Sequence, residues 1–413
     1  MTASYRHFYA GRGEHIPVPW QARGLLEVML LFAGCIWLFA EKPLSAQLTD
    51  NPRQPTAARQ DISAPEPAAV PPAPGVIVIT NRTAEPIRCE LRSPLPSVVS
   101  VSLEPGKLCV VPWREGATLH GLRPVTTPFA VELYGIYAWV GTADGQTQLQ
   151  QVQLPAAPQW RVPRVAAPLL ARDDTPAAKP RPTSAIRVFM YVDDDERAAQ
   201  PVWEKKLRQR LAAASLILEY HCGLKLELVG MGRWNSSNAV LDFERTLAEF
   251  ESKVPATPAA DVLIGFTSQY EITTGRIHLG GTRGALASHI LLREYSKKMS
   301  EVEKLELLVH ELGHFLGAAH SVEASAVMRP ILADRQARAK RFQVLFDPLN
   351  TLAMNLVAAE FRAGGVRHWS QLSHAARERL VPIYAEIDRI NPEDPAAREY
   401  LRSIAMPVNS TRK

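Results

Sequence analysis

His310-Glu311-Leu312-Gly313-His314-Phe315-Leu316-Gly317-Ala318-Ala319-His320, with Met328 and Pro330 a short way downstream, is the stretch that decides how this chain is read. Histidines four residues apart on an α-helix stand one above the other on the same face, so His310 and His314 can both reach one metal ion at about 2.0–2.1 Å. Glu311 is one residue further around the helix, beside that ion, where a carboxylate can hold and deprotonate a water. A third ligand cannot come from a straight continuation of the helix, so the chain must turn sharply. Gly317 supplies the φ > 0 conformation that most residues resist, and His320 swings back as the third ligand. Three protein ligands leave the fourth position of a tetrahedral zinc ion to water or substrate, the arrangement of a catalytic rather than a structural site. Leu307, Leu308, Leu312, Phe315 and Leu316 supply an apolar stripe around the opposite side of the same helix.

The motif resembles the metzincin signature HExxHxxGxxH with its Met-turn. Ser321 directly after the last histidine and Pro330 two residues after Met328 are most similar to the matrixin branch. The likeness extends over 186–333 in layout and about twenty residues in motif. It implies a mixed α/β zincin catalytic domain, one catalytic Zn2+ and hydrolysis of peptide or protein substrates. It also implies that Met328 forms an apolar floor under the histidines, a role suited to a flexible, polarizable side chain. In that layout an edge strand above the metal binds substrate by main-chain pairing. Leu279 to Ser288 is the candidate element, with Leu279, Gly280 and Gly281 as candidate substrate contacts. The chain departs from the family in three places. Pro330 stands where astacin-like relatives carry a metal-binding tyrosine; no calcium or second-zinc loop is apparent upstream; and the PRCGxPD propeptide switch is missing, Arg88-Cys89-Glu90 being a fragment of it.

Working outward, 413 residues with 46% hydrophobic content suffice for several cores. The net charge of +5 is spread without a basic, aromatic-interleaved block, which argues against a nucleic-acid partner. Arg6, Arg12 and Arg23 precede an apolar run from Leu25 to Ala40, short for a bilayer span and suited to a signal-peptide core, with Ser45-Ala46 ahead of a cut at Gln47. Export is therefore expected, to the periplasm, the cell surface or the medium. An uncleaved membrane anchor and a lipidated Cys35 are the alternatives. The 33 prolines cluster and mark linkers.

These signals divide the chain into a signal peptide or anchor (1–46), a Pro/Ala-rich linker (47–75), a separate all-β sandwich-like domain (76–154), a second Pro-rich linker (155–184), the zinc peptidase domain (185–345) and a C-terminal helical segment (346–413). In the β domain the expected strands are Val76–Thr80, Ile87–Leu91, Val98–Leu103, Leu108–Val111 and Phe129–Val140. Cys89 and Cys109 fall within it and are expected to form a disulfide if exported, whereas Cys222 reads as a buried thiol. In the peptidase domain, periodicity gives strands at Ile186–Val192, Leu224–Trp234, Val262–Thr267, Ile277–Gly281 and Ser288–Arg293, and helices at Arg197–Tyr220, Val240–Lys253 and Glu301–Leu316. Asp193-Asp194-Asp195-Glu196 reads as acidic capping of the helix that follows rather than as a calcium site. His278 and His289 read as structural or substrate-contact residues, since three zinc ligands are already assigned.

Two other functions fit parts of this pattern: a non-catalytic protein that keeps the zincin fold as a scaffold, and a metal-dependent amidase acting on cell-wall peptides. The intact Glu311 argues against the scaffold, which has no need of a base.

Overall fold

The computed structural model describes residues 75–94, 98–163, 185–237, 242–269, 278–294, 299–339, 342–364 and 366–407. The expected export segment, the first linker up to residue 74 and residues 164–184 of the second lie outside the described residues. Among the described residues no helix is long and apolar enough to cross a membrane.

Eight short strands open the fold: Val76–Asn81 (β1), Ile87–Arg92 (β2), Val98–Leu103 (β3), Leu108–Pro112 (β4), Thr118–Arg123 (β5), Phe129–Ala130 (β6), Ile136–Gly141 (β7) and Thr147–Gln151 (β8). They form two four-stranded sheets, β4-β1-β7-β8 and β3-β2-β5-β6. The single run expected over 129–140 is two strands, interrupted where Tyr134 takes a positive φ. β1 explains how this unit is placed. Side chains alternate across a strand, and here both sides are apolar: Ile77 and Ile79 enter the core between the sheets. Val78, with Leu108 and Ile136, enters the main core of the molecule. The β unit is therefore not separate, as the proline-rich flanks suggest, because one face of its β4-β1-β7-β8 sheet is buried by helices further along the chain.

The expected disulfide is also corrected. Cys89 on β2 and Cys109 on β4 belong to different sheets and are both free thiols. Burial pushes the Cys89 thiol up to about 11 and that of Cys109 up to about 12.

After Trp160–Arg161 (β9) comes the site-bearing layer: Ala185–Asp193 (β10), Gln200–Cys222 (α1), Lys225–Trp234 (β11), Phe243–Lys253 (α2), Val262–Thr267 (β12), Gly280–Thr282 (β13), His289–Arg293 (β14) and Glu301–Phe315 (α3). The sheet runs β11-β10-β12-β14-β13, with β13 antiparallel on β14 at the edge and the other pairings parallel. β12 is buried throughout, which is why it reads as an unbroken apolar run. Ser300 and Glu303 close a capping box that fixes the start of α3.

The acidic run before α1 does not cap it. Asp193 accepts from the Thr267 hydroxyl at 2.6 Å and the Ser268 amide at 2.8 Å, Asp194 from the Ser236 amide, and Glu196 from the Ala198 amide. These carboxylates tie the strand ends together, while Ala199 occupies the N-cap with no side-chain bond. Burial raises the Asp193 carboxyl to about 6.

Among the described residues three α-helices follow, Pro348–Gly364 (α4), His374–Ile390 (α5) and Ala396–Ile404 (α6), and then Met406–Pro407 (β15). The helices join the main core through residues such as Leu352, Val357, Tyr384 and Tyr400, α4 lying against α1 and against α5, and α5 against α6. β15 pairs with β9, so the stretch expected as a second linker contains an ordered strand, and Trp160 and Val162 beside it pack on the core.

This shared core makes a prediction. β1 and β7 lie against α4, and β4 against α1. Each of the buried side chains Val78, Leu108 and Ile136 contributes about 1.5–3 kcal/mol. A fragment beginning at residue 185 is expected to unfold at markedly lower denaturant than the full chain, or to be insoluble. Chemical denaturation of both decides it, and equal midpoints would restore the separate-domain reading.

Candidate metal centre

α3 carries Leu307, Leu308, Leu312 and Phe315 into the core, and the helical period then sets His310 and His314 together on another face. Their ring centroids lie 4.7 Å apart and their Nε2 atoms 3.0 Å apart. The His320 ring stands 5.6 Å from that of His310 and 4.9 Å from that of His314. One coordinating atom from each of the three lies within 4.8 Å of the others, and all three residues are buried.

The outer nitrogens explain how the rings are held. His310 Nδ1 meets the Val327 carbonyl at 2.8 Å and His314 Nδ1 meets the Ala318 carbonyl at 2.9 Å, while His320 Nδ1 meets a carboxylate oxygen of Asp394. Each partner is an acceptor, so Nδ1 carries the proton and Nε2 the lone pair on all three rings. Lone pairs converging at 3.0 Å need a proton or a cation between them. Burial, then the charges of His314 and His320, hold His310 well below the ordinary imidazole range and disfavour the proton. A cation that prefers imidazole nitrogen, as zinc does, fits this donor set.

α3 ends at Phe315 and the chain reverses through Gly317, whose φ is +85°. A Cβ there would come within 2.9 Å of the Tyr384 hydroxyl, so glycine is required by conformation and by space. The Tyr384 hydroxyl donates to the Gly317 carbonyl at 2.6 Å. Asn350 brackets Ala319, accepting from its amide and donating to its carbonyl, each at 2.8 Å. The Tyr400 hydroxyl is shared between the His314 and Ala318 carbonyls. The turn between the second and third histidines is thus gripped by α4, α5 and α6. Helical spacing groups Tyr384 with Leu380, Ile383 and Ile387 on an apolar face, while Asn350, Tyr400 and Asp394 escape sequence reasoning; the break at Asn391-Pro392 predicts a loop without saying what it touches.

Met328 is fully buried against the helix that carries the first two histidines. A Cβ on Gly313 would come within 2.7 Å of its Sδ, and the Ser321 amide donates to its carbonyl at 2.8 Å. The next residue, Arg329, pairs with buried Glu306, one turn before His310, and with Asp334. The two buried charges in contact bolt the Met-turn to α3.

Glu311 is fully buried, and neither of its carboxylate oxygens has a hydrogen-bond partner among the described residues. Burial raises its carboxyl to about 8. A Cβ on Gly280 would lie 2.7 Å from Glu311 Oε1, so the edge strand β13 passes directly over this carboxylate. Gly281 packs instead toward Phe243, and Leu279 is buried with its carbonyl accepting from the Arg293 amide. Of the three candidate substrate contacts, only Gly280 lies against Glu311. His289 bonds the Val254 carbonyl at 2.7 Å and His278 stands edge-on to Phe243. Neither joins the histidine cluster among the described residues.

Residues 230–347 match the family model described as Matrixin, and that segment contains His310, Glu311, His314, His320 and Met328. No curated protein sequence matches the chain. Among solved structures, an archaemetzincin from Methanopyrus kandleri is similar at 17% identity, over 44% of this chain and 98% of that one, with a TM-score of 0.34. An archaemetzincin from Archaeoglobus fulgidus is similar at 16% identity, over 41% and 99%, with a TM-score of 0.28. A chain from a chaperone–substrate complex is similar at 10% identity, over 70% and 42%, with a TM-score of 0.30. Over that segment the chain is similar to matrixins, a metzincin-type family of zinc metalloproteases.

Proposed function

We propose that the chain is an exported, matrixin-like zinc endopeptidase in which His310, His314 and His320 hold one zinc ion and Glu311 is the general base. The observation that supports this best is the convergence of three buried imidazoles, each ring oriented by an acceptor on Nδ1, beside a buried carboxylate without a hydrogen-bond partner among the described residues. When bound, zinc supplies Lewis acidity that polarises the scissile carbonyl and acidifies water. Glu311 takes the proton of the attacking water and later delivers it to the leaving amine. Main-chain groups of the edge strand β13 orient an extended peptide, and Gly280 lets that strand approach Glu311 closely enough for the scissile bond to meet the base. Export rests on the apolar run Leu25 to Ala40 behind its arginines, with membrane anchoring by the same run as the alternative.

Glu311 also weighs against a non-catalytic scaffold. A buried carboxylate without partners costs free energy that a pure scaffold has no reason to retain. The amidase reading is separated by substrate. Purified chain is expected to cleave unfolded protein, with loss of cleavage in chelator and recovery on added zinc, and to leave peptidoglycan fragments intact. The reverse preference would replace endopeptidase with amidase.

Gly280 carries its own prediction. A methyl group at this position would collide with Glu311 and Leu292, and a displacement of about 1 Å at a reacting group costs up to about 10²-fold. Gly280→Ala is expected to lower turnover at least about tenfold with zinc content unchanged. Unchanged turnover would show that β13 leaves room above the base.

A further inference from the structure

We infer that Asp394 is a positioning residue of the metal centre, setting the orientation and donor strength of His320; this rests on the zinc reading above. Asp394 lies between α5 and α6, and its two oxygens divide the work. Oδ1 accepts from the Ala396 amide at 2.9 Å, which fixes the carboxylate at the start of α6, and Oδ2 faces His320 Nδ1. α6 is in turn anchored beside the centre by Tyr400, which bonds the His314 and Ala318 carbonyls. The carboxylate therefore reaches His320 from a rigid element.

The three histidines are not held alike. His310 and His314 donate to backbone carbonyls within the motif and its Met-turn, whereas His320 donates to a carboxylate from 74 residues downstream. His320 also follows the Gly317 reversal and lacks the helix that orients the other two. A carboxylate on the outer nitrogen of a metal-binding imidazole locks the tautomer, fixes the ring plane and raises the basicity of the inner nitrogen. The ligand that lies outside the helix thus receives a charged orienting partner, and the C-terminal helices become part of the metal site although they supply no ligand.

The test uses the full chain and zinc itself, by competition with a chromogenic chelator. Asp394→Ala is expected to weaken zinc binding by about 10–100-fold. Asp394→Asn, which keeps an acceptor and loses the charge, is expected to fall between that and the unsubstituted chain. Asp394→Ser separates positioning from folding, because a serine oxygen can still accept from the Ala396 amide but is too short to reach His320. It is expected to lose zinc affinity as the alanine variant does, with the melting temperature of the metal-free protein unchanged. Asp394→Ser binding zinc as tightly as the unsubstituted chain would overturn the inference, as would losses that merely track the metal-free melting temperature. An unsubstituted chain that takes up no zinc would instead overturn the metal reading, and this inference with it.

Discussion

Glu311→Gln is expected to lower peptidase turnover by at least about 10²-fold while zinc content and melting temperature hold. The variant separates chemistry from architecture because of where the side chain lies. Glu311 is fully buried and neither oxygen has a hydrogen-bond partner among the described residues, so exchanging one for an amide breaks no bond seen in the fold. Gln has the same shape and no charge, and a neutral amide is less costly to bury than a carboxylate. The three Nε2 atoms and their Nδ1 acceptors involve other residues, so the metal set stays whole. On the proposed mechanism, what is lost is the group that accepts the proton of the attacking water. Steady-state turnover on an unfolded protein, with zinc measured on the same preparation, decides it. Equal rates in the two proteins would place the activity at another site.

How much of this was legible in the sequence depends on distance along the chain. His310, His314, Gly317 and His320 fall within a single short run, where helical geometry alone fixes which side chains meet. β12 was legible because a strand buried on both faces is a continuous apolar run. β5 and β8 were not: Thr118–Arg123 breaks its apolar alternation at Gly121, and in Thr147–Gln151 only Leu149 is apolar. β1 held the information that the β unit is covered on both sides, since Val78 is as apolar as Ile77 and Ile79, but the prolines flanking the unit outweighed it. The acidic run Asp193 to Glu196 fits equally a helix cap and a set of loop ties, and only the tertiary positions of Thr267, Ser268 and Ser236 choose between them. Asn350, Asp394 and Tyr400 are polar residues in or between helices that sequence alone assigns to solvent, and helical spacing groups Tyr384 with Leu380, Ile383 and Ile387 on an apolar face without naming its partner. Their partners are main-chain groups and one imidazole of a distant turn.

That division bears on the other large effect. Replacing His320 by alanine is expected to lower zinc affinity by at least about 10²-fold, since a full ligand set is worth about 10–16 kcal/mol and one ligand of three about 3 kcal/mol or more. The turn should survive the change. Gly317 and Ala319 are held by Tyr384 and Asn350 through backbone and amide groups that do not involve the imidazole. The Asp394 side chain is 13% exposed, so it can regain water when its partner is removed. The metal-free melting temperature is therefore expected to move little, and the loss of zinc, read by equilibrium dialysis and elemental analysis, is a ligand effect rather than unfolding. The order of the variants carries the argument: His320→Ala, which removes the donor atom, must cost at least as much as Asp394→Ser, which only releases it. Full zinc affinity in His320→Ala would mean that the third donor is another group, and that the reversal at Gly317 serves packing against Tyr384 and Trp369 rather than the delivery of a ligand.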